Sequence, residues 1–129
     1  MLFDSLFGSI LNYGAEIIGN NDGTDLELVH CKFLRKILCV QKSTNLDRLY
    51  GETGRCPMNI HRRILMFKYW LKILSLEHTS LVKSLYNVVK ADAENNISYK
   101  GSNWAFKIKT VLNEMGLHNL WLNQRDLEH

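Results

Sequence analysis

The side chains able to do metal or nucleophile chemistry are thinly spread through this 129-residue chain. Polymerase or nuclease chemistry needs carboxylates that converge on a divalent ion. No two Asp or Glu residues are adjacent here, and most fall at helix caps or loops, where helix dipoles attract carboxylates without any catalytic purpose. His30, Cys31, Cys39, Cys56 and His61 invite a zinc site. They form neither a Cys-x-x-Cys nor a His-x-x-x-His pair, the short spacings by which zinc sites declare themselves. Three cysteines are also an odd set for a disulfide framework, so they read as reduced, buried thiols behaving as small hydrophobes. No third residue is placed to orient a Cys–His nucleophile pair. The reading is therefore of a non-enzymatic chain that calls for no metal and no cofactor.

The basic residues are a different matter. Residues 1–29 hold Asp4, Glu16, Asp22, Asp25 and Glu27 and no base at all. Residues 30–72 hold ten bases against Asp47 and Glu52, a net charge of +8. Such density is an electrostatic footprint for a polyanion. Within it, Lys32, Arg35 and Lys36 share one side of a helix, Lys42 follows in the next loop, and Arg55 precedes Pro57. Arg62 and Arg63 open the following helix, where cations oppose the dipole. A bound phosphate, or the acidic patch of residues 1–29, would hold them there. Among the aromatics, Trp70 and Trp104 fall on core-facing stripes, while Phe106 falls off its helix's apolar face and is the one expected to be exposed.

These residues must be carried by helices. One proline and eight glycines leave little punctuation for a many-stranded β fold, and the hydrophobic share of 46% is that of a globular chain. No apolar run approaches the ~18 residues that span a bilayer. The spacing predicts a first helix from an Asp4 cap to Ile18 through Leu6, Ile10, Tyr13 and Ile17. A second opens with a Thr24–Glu27 capping box and buries Leu26, Val29, Phe33, Ile37 and Val40. A short third helix covers Thr44 to Tyr50. The fourth, about 57–76, has Pro57 in its first turn and a stripe at Ile60, Ile64, Phe67, Leu71 and Leu74. Being apolar on most sides, it is expected at the centre of the bundle. A fifth helix carries Leu81, Leu85 and Val88, and a sixth, capped by Ser102, ends at Gly116. A last turn covers His118–Asn123. The expected architecture is all-α, a compact bundle of about five to six helices in a single domain over 1–126. Leu127-Glu128-His129 reads as a tag remnant. With reduced thiols and no basic leader, an intracellular site, nuclear or cytoplasmic, is expected.

Three stretches then stand together in order: LFDSLFGSILNYGAEIIG, VHCKFLRKILCVQKSTN and YGETGRCPMNIHRRILMFKYWLKIL. With the tail NWAFKIKTVLNEMGLHNLWLNQ, they resemble the region just after the polymerase core of non-long-terminal-repeat retrotransposon reverse transcriptases. The resemblance covers residues 2–124. It implies a helical thumb and linker that track the template–primer backbone, and it implies backbone-facing roles for Lys32, Arg35, Lys36, Lys42, Arg55 and Arg62. It supplies no catalytic residue, since that family's Asp-Asp motif lies upstream. Ile18 stands where tryptophan is usual, Cys39 where glycine is usual, Thr53 where leucine is usual, and Cys56 where an aromatic is common. The expectation is a non-catalytic module that binds the backbone of RNA or DNA through Lys32, Arg35, Lys36, Lys42, Arg55, Arg62 and Arg63. The alternative is a co-opted protein–protein or self-association module, a homo-oligomer included.

Overall fold

The computed structural model describes residues 4–19, 23–95 and 103–124. The expected Ser102 cap and the Leu127–His129 remnant lie outside the described residues. Among those described the fold is all-α, with no strand. A wide π-type turn over Asp4–Gly8 leads into α1 (Ser9–Leu11) and α2 (Ala15–Ile18). The longer helices are α3 (Thr24–Ile37), α4 (Leu46–Thr53), α5 (Met58–Leu74), α6 (Leu81–Asn95) and α7 (Trp104–Glu114), before the short α8 (His118–Leu122). None of them is long and apolar enough to cross a membrane. The chain divides into two compact units, residues 1–66 and 67–129, and α5 contributes to both.

The helix ends follow from local chemistry. Asn45 caps α4 by accepting from the Asp47 N–H at 3.0 Å, and Asn103 caps α7 by accepting from the Phe106 N–H at 3.1 Å. Gly116 follows α7 with a φ of 72°, the left-handed residue that closes a helix cheaply. The expected continuous first helix is instead broken. Gly14 adopts a φ of 70°, and the chain reverses there between α1 and α2.

In the first unit, several expected faces are turned. The large residues Leu6, Ile10, Tyr13 and Ile17 point outward, Tyr13 with 85% of its surface exposed, and the small residues Gly8, Ala15 and Gly19 are the buried ones. Backbone proximity explains this choice. A Cβ on Gly19 would meet the Ala15 carbonyl oxygen and stand 2.5 Å from that of Arg62, so this turn lies directly on the backbone of α5. On α3 the buried seam is His30, Cys31 and Leu34, while Val29, Ile37 and Val40 are exposed. In the part of α5 that belongs to this unit, Met58, Arg62 and Met66 are buried, and Ile60 and Ile64 are about half exposed.

The capping box at Thr24 is also corrected. Gly23 is the N-cap of α3 and no side chain caps it. The Glu27 carboxylate instead crosses to α5. It accepts from the Met58 N–H at 2.6 Å and from the Tyr50 hydroxyl, with His30 Nδ1 3.4 Å away. The Cys31 thiol lies 3.3 Å from the Tyr50 hydroxyl oxygen. A carboxylate at the first N–H of α5 satisfies an orphan donor and meets the positive end of the dipole. Burial, with the Cys31 and Glu27 contacts, pushes the Tyr50 phenol well above its usual range, so it stays a proton donor.

In the second unit, Trp70 stacks on Trp121 with ring centres 6.4 Å apart, and its Nε1–H donates to Tyr86 at 2.9 Å. The Tyr86 hydroxyl donates onward to Gln124 Oε1 at 2.9 Å. Tyr69 and Tyr86 both meet Trp104 edge-on. On α6 the buried residues are Lys83, Tyr86 and Ala93, the side opposite the expected one. Lys83 is drawn in because its Nζ donates to the Leu74 carbonyl at 2.7 Å, one of the orphan carbonyls that end α5.

Candidate nucleic-acid interface

The basic face is built at the C-terminal end of α3. Lys32, Arg35 and Lys36 stand at helical spacing i, i+3 and i+4, which puts them on one side. The helix then closes with a reversal in which the Val40 N–H donates to the Arg35 carbonyl at 3.1 Å and the Cys39 N–H to the Lys36 carbonyl at 3.3 Å. The left-handed position is Cys39, with a φ of 52°. That reversal sends Val40, Gln41 and Lys42 back across the end of the helix. Arg35 fixes the returning loop, donating from Nη2 to the Thr44 carbonyl at 3.4 Å.

The result is a concavity of about 600 Å³ lined by Lys32, Arg35, Lys36, Cys39, Val40 and Lys42. Lys32, Lys36 and Lys42 are exposed and Arg35 is half-buried. No acidic residue is among these lining side chains. Part of this charge has a local use, since Arg35 and Lys36 in the last turn offset the negative end of the α3 dipole. Lys32, a turn earlier, and Lys42, beyond the helix, exceed that need.

The other three cations of the expected face are not brought to the concavity. Arg55 forms a two-point ion pair with Asp4, at 3.1 and 2.5 Å, beneath a cavity of about 210 Å³ lined also by Asn12, His30, Cys56 and His61. The Arg55 guanidinium holds the Asp4 carboxyl below its usual range. Arg62 is 4% exposed, and its Nη1 donates to the Leu11 carbonyl at the end of α1. What holds this cation in the second turn of α5 is thus a backbone carbonyl, one that would otherwise be an orphan of helix α1. Arg63 is half-buried. The segment 1–29 therefore does engage the basic third, at Asp4 with Arg55 and at Leu11 with Arg62.

The thiols depart from expectation in two of three cases. Cys31 is buried, but Cys39 and Cys56 are exposed, and all three are free. Cys39 is exposed because it occupies the outer, left-handed position of the α3 reversal, and Cys56 because it lies in the link between α4 and α5. Among the described residues, no three His, Cys, Asp or Glu side chains gather to hold a metal ion. Phe106, expected outside, is half-buried. The residue that sequence reasoning missed is Glu27. Its position on the α3 seam beside His30 and Cys31 was the available signal, because a carboxylate there has to find buried donors. No protein-family model, no curated protein and no solved structure matches this chain.

Proposed function

We propose that this domain is a non-catalytic nucleic-acid-binding module that grips phosphate backbone without regard to sequence, through Lys32, Arg35, Lys36 and Lys42. The observation that carries this reading is the concavity of about 600 Å³ that these four residues line, with no acidic residue among its described lining side chains. Lysine ammonium groups act on phosphate as mobile point charges, and a set of them gives affinity with no base readout. The resemblance of residues 2–124 to the thumb and linker region of non-long-terminal-repeat retrotransposon reverse transcriptases supports the same reading, and makes a primer–template or other duplex the natural ligand. Arg55 and Arg62 take no part in it, since Asp4 and the Leu11 carbonyl occupy them.

Fluorescence anisotropy with labelled duplexes of unrelated sequence tests the proposal. Similar affinities for all of them are expected, weakened in parallel by Lys32→Ala, Lys36→Ala and Lys42→Ala together. Strong preference for one sequence, or indifference to the triple substitution, would count against it.

A further inference from the structure

We infer that the α3 concavity seats a terminal phosphate of a nucleic-acid strand, so that the domain grips phosphorylated strand ends more tightly than continuous backbone. This rests on the phosphate-binding reading above and names its ligand more closely. Lys32, Lys36 and Lys42 are exposed and line one concavity. Among the described residues no acid forms an ion pair with any of the three. The α3 carbonyls that would repel an anion are occupied. Those of Leu34, Arg35 and Lys36 accept from the N–H groups of Leu38, Val40 and Cys39 at 3.0, 3.1 and 3.3 Å. What the concavity offers a ligand is therefore positive charge in excess.

The shape decides which kind of phosphate fits. The backbone along a duplex flank is a row of singly charged diesters, and a row of cations on an open helix face is enough to hold it. Here α3 forms one wall and the loop returning through Cys39, Val40 and Lys42 forms another, enclosing about 600 Å³. That lies within the range of about 300–1,000 Å³ in which small-molecule pockets fall, so a nucleotide-sized group can enter. A strand end projects into such a space, whereas paired backbone passes over it. A terminal phosphate is also a monoester, with about −1.5 to −2 charges at pH 7 where an internal diester has a single one. Several lysines around one site favour the more concentrated charge. Cys39 and Val40 add an apolar patch to the wall, which suits the sugar and base behind that phosphate without reading the base.

Competition binding to the full chain tests this assignment. A labelled duplex with hydroxyl ends is displaced by the same duplex unlabelled, carrying either hydroxyl ends or terminal phosphates, and by a free nucleoside monophosphate. The phosphorylated duplex is expected to compete about tenfold better than the hydroxyl one, and the free nucleotide far less well, since it lacks the adjoining backbone. Lys32→Ala, Lys36→Ala and Lys42→Ala together should erase the difference between the duplexes. A second readout needs no variant. Cys39 lies in the wall of the concavity, while the exposed Cys56 lines the separate cavity beside Arg55. The phosphorylated duplex should therefore slow alkylation of Cys39 by a neutral maleimide and leave that of Cys56 unchanged. Equal competition by the two duplexes overturns the strand-end assignment and leaves backbone binding standing; no binding by either removes both. A free nucleotide that competes as well as the phosphorylated strand overturns it too, and so does a saturated complex in which Cys39 reacts at its unprotected rate.

Discussion

Replacing Glu27 by Gln tests whether one carboxylate ties α3, α4 and the start of α5 together. The carboxylate accepts from Met58 N–H on one oxygen and from the Tyr50 hydroxyl on the other. Glutamine keeps the shape but has a single acceptor oxygen, so its amide N–H₂ must face one of the two donors. With the amide oxygen on the Met58 N–H, the N–H₂ can reach Tyr50 only by donating to its hydroxyl oxygen. The hydroxyl proton then loses the carboxylate, and a hydrogen bond to a charged group is worth about 1.5–3 kcal/mol. The α5 N-terminus also loses a facing negative charge, worth about 0.3–1 kcal/mol. Glu27 keeps some contact with water, which repairs part of the loss, so a net cost of about 2 kcal/mol is expected. Urea unfolding should show a lower midpoint at unchanged slope, the sign of a stability change without a change in exposed surface. Tyr50→Phe removes one donor, and the double variant should cost clearly less than the two singles summed, because both act on one contact. A Glu27→Gln protein within about 0.5 kcal/mol of wild type would refute this role, since that is the scatter of ordinary surface changes.

Two further outcomes follow from the same helix. Cys39→Gly should stabilise the protein by about 0.5–1 kcal/mol, since a left-handed non-glycine residue costs about 1–2 kcal/mol and the added freedom of unfolded glycine returns only part of that; thermal unfolding checks the sign. His30 is held below the ordinary histidine pKa of 6.5 by burial, which outweighs the opposing Glu27 carboxylate. The unfolded chain therefore binds this proton more readily, and stability should fall as pH drops below about 6.5, a decline that His30→Gln should flatten in urea titrations at pH 7 and pH 5.

The helices were legible in the sequence, but the faces they bury were largely not. Glycines, polar loops and the 3.6-residue period mark that α3 to α7 exist and roughly where. Their caps and last turns differ, as at Gly23 for Thr24 and at Thr53 for Tyr50. Each of these helices, however, has apolar residues on more than one side. On α3, Val29 and Ile37 fit a helical stripe as well as Cys31 and Leu34 do, and periodicity alone does not choose between them. On α5 and α6 the choice is made by polar groups that pattern reading assigns to solvent. Arg62 and Lys83 go inward because each completes a carbonyl at the end of another helix, and that need appears only once the helices are placed side by side. At the candidate interface, the grouping of Lys32, Arg35 and Lys36 could be read from spacing. The return of Lys42 to join them could not, because it depends on a left-handed turn at a cysteine, a residue type that does not announce one.

The salt dependence of duplex binding bears most directly on the proposed function. Each phosphate neutralised releases counterions, giving a slope of about −0.9 per contact in log affinity against log salt. Four cations in the α3 concavity therefore set a slope of about −3 to −4, or an affinity loss of about a hundredfold between roughly 50 and 200 mM salt. Lys32→Ala, Lys36→Ala and Lys42→Ala together should flatten the slope to about −1, while Lys107→Gln with Lys109→Gln should leave it unchanged. A wild-type slope near zero, or a steep slope that survives the triple substitution, would contradict backbone binding at this site.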